Sequence, residues 1–297
     1  MKTFVFPGQG SQFVGMGKNV FDLYPDLVSD ADEVLGCSIK ELCLEDPNRV
    51  LNETQFTQPA IYVVNALKCR QHLELDDRRP DFVAGHSLGE YSALYVAGVV
   101  DFLTGLRLVV KRARLMSQAT GGGMLAVIGM QTDRVQSLLV ENGFAAIDVA
   151  NFNSPRQVVL SGSVKDIREC TSVLEKAGAE MVVPLRVSGA FHSRYMQSAS
   201  VEFERYVRQL AFNRPSIPTI ANVTADLYTE DKVADLLVEQ LVHPVRWVDT
   251  IRRLMAFQDM VFEEIGEGKM LTKLIGYIRA ESQPCEHLVR STTNIAK

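Results

Sequence analysis

Nothing in the cysteine pattern of this 297-residue chain suggests a cross-link or a metal. Cys37, Cys43, Cys69, Cys170 and Cys285 are scattered and odd in number, with no C-x-x-C pair. Neither a disulfide framework nor a zinc site is expected from such spacing. Basic charge is also scarce: 31 Lys and Arg against 36 Asp and Glu leave a formal charge of −5. That balance argues against a nucleic-acid binder, which would carry a basic face or stripe. Long apolar runs are missing too. The opening Met1–Phe6 is far too short for a signal peptide and ends at Pro7-Gly8, and no stretch long enough to span a bilayer follows. No internal repeat or low-complexity segment is visible. What remains, with 46% apolar and 23% charged residues, is an ordinary globular composition expected in the cytoplasm. The length allows two domains, or one large domain with an insertion.

Strand and helix signals alternate from the first residue. Thr3–Phe6 reads as a strand and Asn19–Leu35 as a helix. Pro59–His72 reads as a helix, Asp81–Ala84 as a buried strand and Glu90–Ala97 as the helix after it. This order implies an α/β fold with a parallel sheet covered on both faces. The rhythm then changes. Met124–Met130, Ala145–Ala150, Gln157–Ser161 and Glu180–Val187 read as strands, with helices at Thr132–Asn142 and Val164–Ala177 and a turn at Asn153-Ser154-Pro155. That is β-α-β-β-α-β, a ferredoxin-like unit. The expected organisation is a large α/β domain at 1–123 and 190–280, a ferredoxin-like inserted subdomain at 124–189, and a polar tail at 281–297. In the second half of the large domain, Met196–Leu210, Asp231–Val242, Trp247–Met255 and Lys269–Ile278 read as helices. Thr219–Asn222 and Met260–Ile265 read as strands.

Gly85-His86-Ser87-Leu88-Gly89 matches G-x-S-x-G between a predicted strand and a predicted helix, the context of a nucleophile elbow. A serine nucleophile needs a base, and five histidines are available. His86 adjoins Ser87 and should point away from it. His72 ends a helix, His243 precedes Pro244 in a loop, and His287 lies in the tail. His192 falls where the insert returns to the large domain, at an interdomain cleft, although a satisfied buried histidine fits its position equally. No acid emerges at a third position, so a Ser–His dyad is favoured over a triad. Leu88 N–H, just past the nucleophile, suits one arm of an oxyanion hole, and the loop Gly8-Gln9-Gly10 suits the other. Neither that loop nor Gly266-Glu267-Gly268-Lys269 has the spacing of a nucleotide-binding motif.

Arg112 lies on the long helix Phe102–Ala119, off its polar stripe of Arg107, Lys111 and Arg114. Its neighbours three and four residues away are Leu108, Val109, Leu115 and Met116. A guanidinium there must form an internal salt bridge, snorkel along its stem, or capture a substrate carboxylate.

Phe6-Pro7-Gly8-Gln9-Gly10-Ser11-Gln12, the Gly85–Tyr91 elbow and Gly189-Ala190-Phe191-His192-Ser193 together resemble the malonyl-CoA:acyl carrier protein transacylase family. Asn151-Phe152-Asn153-Ser154-Pro155 and Ile265-Gly266-Glu267-Gly268 match as well, so the likeness spans about Met1 to Ile278. That family includes fatty-acid enzymes and free-standing acyltransferases of polyketide synthases. The resemblance implies a hydrolase-like core with a ferredoxin-like insert, Ser87 as the acylated nucleophile and His192 as its base. It implies Arg112 as the malonyl-carboxylate ligand, Gln9 and Leu88 N–H groups as the oxyanion hole, and Gln240 orienting the histidine through its carbonyl. Phe191, beside the histidine, implies malonyl selection by excluding an extra methyl. His243-Pro244 departs from the family's usual Asn-Pro.

The implied reaction is ping-pong transfer of malonyl from malonyl-CoA to the phosphopantetheine thiol of an acyl carrier protein, with no metal or redox cofactor. A monomer is expected. The rival readings are a hydrolase of carrier-bound thioesters, for which Arg112 has no use, and a silent docking partner. An acidic carrier would need a local basic patch. The candidates are Arg107, Lys111 and Arg114, or Arg186, Arg194, Lys269 and Lys273. Overall likeness leans towards polyketide rather than fatty-acid synthesis.

Overall fold

The computed structural model of the chain describes residues 1–76 and 78–281. Cys285, His287 and the tail from 282 onward lie outside the described residues. Four strands build the larger layer: β1 (Lys2–Phe6), β2 (Phe82–Gly85), β7 (Thr219–Ile220) and β8 (Val261–Glu264). They pair in the order β7-β2-β1-β8, all parallel. β1 and β2 are buried along their whole length, as expected for strands covered on both faces. The covering helices before the insert are α1 (Pro25–Leu35), α2 (Ile39–Leu44), α3 (Thr54–Leu75), α4 (Gly89–Val96) and α5 (Phe102–Ser117).

The second sheet contains β3 (Gly122–Ile128), β4 (Asp148–Ser154), β5 (Gln157–Ser163) and β6 (Met181–Pro184). Its helices are α6 (Thr132–Glu141) and α7 (Val164–Lys176). The spatial order β4-β5-β3-β6 is antiparallel throughout, the ferredoxin-like arrangement. Its own core gathers Leu125, Val127, Val135, Leu160, Ile167 and Leu174. The chain then completes the larger layer with α8 (Gln197–Val207), α9 (Val233–Glu239), α10 (Trp247–Met255) and α11 (Met270–Glu281).

Several boundaries differ from the sequence-based expectation. The helix expected from Asn19 begins at Pro25, whose fixed φ and missing N–H suit a first helical position. α3 begins at Thr54 and carries Pro59 inside it, at the cost of one backbone hydrogen bond. α2, unforeseen, is capped by Ser38 Oγ accepting from Glu41 N. Asn153 and Ser154 belong to β4, and the turn is Pro155-Arg156. Among the described residues, no helix is long and apolar enough to cross a membrane.

Two consequences position the site. The loops after β1 and β2 leave the same end of adjacent parallel strands, where open α/β sheets place their ligands. The second sheet is also stitched to the first layer: Phe152 N donates to Val245 O at 3.0 Å and Val245 N to Ala150 O at 2.9 Å.

Candidate active site

Between β2 and α4 the chain turns so sharply that Ser87 adopts φ +53°. A side chain rarely sits in that left-handed region without a surrounding structure that imposes it. The turn is imposed here by close packing. A Cβ at Gly85 would lie 1.9 Å from the carbonyl carbon of Gly89. Asn222, just beyond β7, braces the turn: its Oδ1 accepts from Ser87 N and its Nδ2 donates to Gly85 O, both at 2.7 Å.

His192 reaches Ser87 from the segment that returns from the second sheet. Ser161 of β5 holds that segment through its Oγ, which donates to Phe191 O at 2.7 Å. Arg194 grips Asp148 of β4 from the other side. Like Ser87, His192 has a left-handed backbone, φ +56°. Its Nε2 lies 2.7 Å from Ser87 Oγ, and its Nδ1 lies 2.7 Å from the carbonyl oxygen of Gln240. A carbonyl only accepts, so Nδ1 carries the proton and Nε2 accepts from the serine hydroxyl. Burial, with the nearby charge of Arg112, pushes the imidazole down to about 3, so it is neutral at physiological pH with Nε2 free to accept a proton. His192 also borders a cleft of about 650 Å³, lined among others by Leu139, Val140, Phe144, Val242, His243 and Pro244.

Arg112 is fully buried beneath the elbow. Its Nη2 donates to Ser87 Oγ at 3.2 Å and to Gln240 Oε1 at 3.0 Å, and its Nη1 donates to Gln58 Oε1 at 2.7 Å. The guanidinium stacks over the Tyr91 ring, 5.4 Å from its centroid. Among the described residues no carboxylate ion-pairs with Arg112, and its buried Nε has no acceptor. The internal salt bridge and the snorkelling stem are therefore both excluded. Desolvation lowers its pKa, as it must for a cation surrounded by neutral partners.

The first loop packs on the elbow: a Cβ at Gly8 would stand 2.4 Å from the His86 carbonyl oxygen and 3.4 Å from Leu88 N. Among the described residues, no backbone carbonyl accepts from Gln9 N or Leu88 N. Phe191 is buried, with its ring against Gly189. His86 points away from the serine, as expected of a residue beside the nucleophile. It bonds Asn153 Oδ1 at 2.7 Å and stands edge-on to Trp247. His243 turns back to the Glu239 carbonyl at 3.0 Å.

An acyl transferase domain model matches residues 3–282. The chain belongs to that family. A polyketide biosynthesis malonyl CoA-acyl carrier protein transacylase, BaeC of Bacillus velezensis, is 51% identical over 95% of this chain and 98% of its own. The crystal structure of a malonyl CoA-acyl carrier protein transacylase from Burkholderia pseudomallei superposes with TM-score 0.92 at 43% identity, covering 95% and 99% of the two chains. A type II PKS acyl-carrier protein in complex with its malonyl-transacylase gives TM-score 0.89 at 32% identity, covering 99% of each chain.

Within this acyl transferase the geometry adds residues that sequence reasoning missed. Gln58 is a buried amide on an apolar helix, and it holds one arm of Arg112. The Gln240 side chain, besides its carbonyl, reaches Arg112, Ser87 and Glu90. Of the two basic stripes, Arg107, Lys111 and Arg114 lie together on one groove of about 420 Å³ shared with Asp30 and Glu33, while Arg112 lies buried. Arg186 and Lys273 border different cavities, and Arg194 is engaged by Asp148, so the second stripe is not one patch.

Proposed function

We propose that this acyl transferase moves malonyl from malonyl-CoA to the phosphopantetheine thiol of an acyl carrier protein, supplying extender units for polyketide synthesis in the cytoplasm. The observation that carries this reading is Arg112: a buried guanidinium bonded to Ser87 Oγ, with only neutral partners. A malonyl carboxylate on that guanidinium sets its thioester carbon beside the serine, and arginine's planar fork suits two-point capture. Names and coverage of the relatives support the same substrate and acceptor.

In the first half-reaction His192 Nε2 takes the Ser87 proton as Oγ attacks the thioester carbon. The oxyanion is received by Gln9 and Leu88 N–H groups. The C–S bond breaks, His192 returns the proton to the CoA sulfur, and malonyl-Ser87 remains with its carboxylate on Arg112. In the second half the carrier's thiol gives its proton to His192, attacks the ester, and Ser87 leaves as the hydroxyl. Selection against acetyl follows from electrostatics, because acetyl leaves the buried cation without its anion. Phe191 supplies the smaller discrimination against a methyl branch, about 1–3 kcal/mol.

Incubation with radiolabelled malonyl-CoA, with and without a holo carrier protein, tests the reading. Label should accumulate on Ser87 and pass to the carrier. Rapid release of free malonate without carrier would instead identify a hydrolase, and the absence of both label at Ser87 and malonate release would end the enzymatic reading altogether.

A further inference from the structure

Glu90 has no part in the steps above, yet it lies at their centre. It stands on the first turn of α4, three residues past the nucleophile, and is 1% exposed. Three donors converge on it. Asn222 N reaches Oε1 at 2.8 Å, Tyr228 OH reaches the same oxygen at 2.9 Å, and Gln240 Nε2 donates to Oε2. A carboxylate has lone pairs for all of them. An amide or a protonated acid does not, because one of its two ends then opposes a donor.

The Gln240 amide is the link to the site. Its Nε2 donates to Glu90 and to Ser87 O, the latter at 2.9 Å, while its Oε1 accepts from Arg112 Nη2 at 3.0 Å. Rotated by half a turn, the amide would set Nε2 against the guanidinium and Oε1 against a carboxylate and a carbonyl. Glu90, together with the Ser87 carbonyl and the Arg112 guanidinium, therefore sets which way this amide faces. Burial pushes the carboxyl up to about 7, opposed by its three donors and by Arg112.

We propose that Glu90 is a positioning residue for acyl selection, acting through the Gln240 amide to hold the Arg112 guanidinium beside Ser87 Oγ, where a substrate carboxylate meets it. This deepens the transacylase reading and rests on it for the identity of the acyl group. Neutral acyl groups offer Arg112 no carboxylate and keep only its bond to Ser87 Oγ, so the influence of Glu90 falls chiefly on malonyl. A residue that only packed the elbow would affect both alike.

The test is Glu90→Gln, with malonyl and acetyl transfer measured side by side. With the acceptor on Gln240 replaced by a donor, the malonyl-to-acetyl ratio of kcat/KM should fall about tenfold or more, the scale of one charged hydrogen bond. Acetyl transfer should fall by no more than about threefold, since acetyl puts no carboxylate on Arg112 and shares only the bonds to Ser87. Placed on Arg112→Ala, Glu90→Gln should leave the ratio where Arg112→Ala put it. Equal loss for both acyl groups, or an undiminished fall on Arg112→Ala, overturns the proposal. Gln240→Met, which keeps the carbonyl on His192, should reproduce the fall in ratio even where Glu90→Gln does not fold; an unchanged ratio overturns it. A crystal structure of Glu90→Gln needs no turnover: the amide of Gln240 should leave Arg112, and an unchanged bond overturns the proposal. Failure of the wild-type chain to form malonyl-Ser87 would sink the transacylase reading, and the crystal structure would still judge Glu90.

Discussion

Two arginines lie near His192 and are held in opposite ways. Arg194, two residues further along, is exposed and grips Asp148 through Nε at 3.0 and 3.1 Å and Nη2 at 2.5 Å. Arg112 is fully buried and receives only two amide oxygens and a serine hydroxyl. Stability alone would predict the reverse, since an unpaired charge is costly inside and cheap at the surface. The exposed arginine ties the returning segment to β4. The buried one is kept ready for an anion from outside the chain.

Removing the buried guanidinium should have the largest effect. Arg112→Ala should lower malonyl kcat/KM on the order of a hundredfold or more while raising relative use of acetyl-CoA, as expected when a buried charge loses its partner. Arg112→Lys should fall between, because a point charge replaces the fork. Competition assays with paired acyl-CoAs would show it, and unchanged selectivity would erase the distinction between the two arginines.

A pH series sharpens the contrast next. Folded His192 titrates near 3 against an ordinary 6.5, so between those values the unfolded chain binds the extra proton and stability falls as pH drops. Glu90, raised from 4.5 to about 7, acts in the opposite sense: its contribution falls as pH rises from 4.5 to 7. The charge of Arg112 contributes to the histidine's depression, whereas that of Arg194 does not. Urea titrations from pH 4 to 8 should therefore show a shallower acid-side loss in Arg112→Ala and the wild-type slope in Arg194→Ala, within the window the two ordinary values define. The smallest effect belongs to the surface tie. Asp148→Asn should cost less than about 1 kcal/mol in thermal melts and leave acyl selectivity alone.

Much of this site was legible in the sequence, because each feature contradicted its local pattern. Ser87 interrupted a strand–helix junction between glycines, and Arg112 broke an apolar face. Glu90 broke one too, as the only charge in Gly-Glu-Tyr-Ser-Ala-Leu-Tyr-Val, yet it passed as part of the elbow motif. Gln58 was hidden because the helix was expected to start at Pro59, which put the amide in a loop. The alternation of strands revealed both sheets and their order of elements. It did not reveal that Asn151 of β4 bridges to Val245, because pairing between segments so far apart leaves no periodic mark. Nor did it reveal the two positive φ values, which arise from tertiary contacts rather than residue type.

Those two dihedrals set the protein's stability against its use. A non-glycine side chain in the left-handed region costs on the order of 1–3 kcal/mol, and both Ser87 and His192 have one there. Ser87→Gly should accordingly melt at a higher temperature than the wild type while turning over nothing, as calorimetry beside a transfer assay would report. A screen for thermal hardiness alone would drift towards inactive variants at position 87. Consensus or library stabilisation of this enzyme should hold that residue fixed and seek its gains in the surface loops.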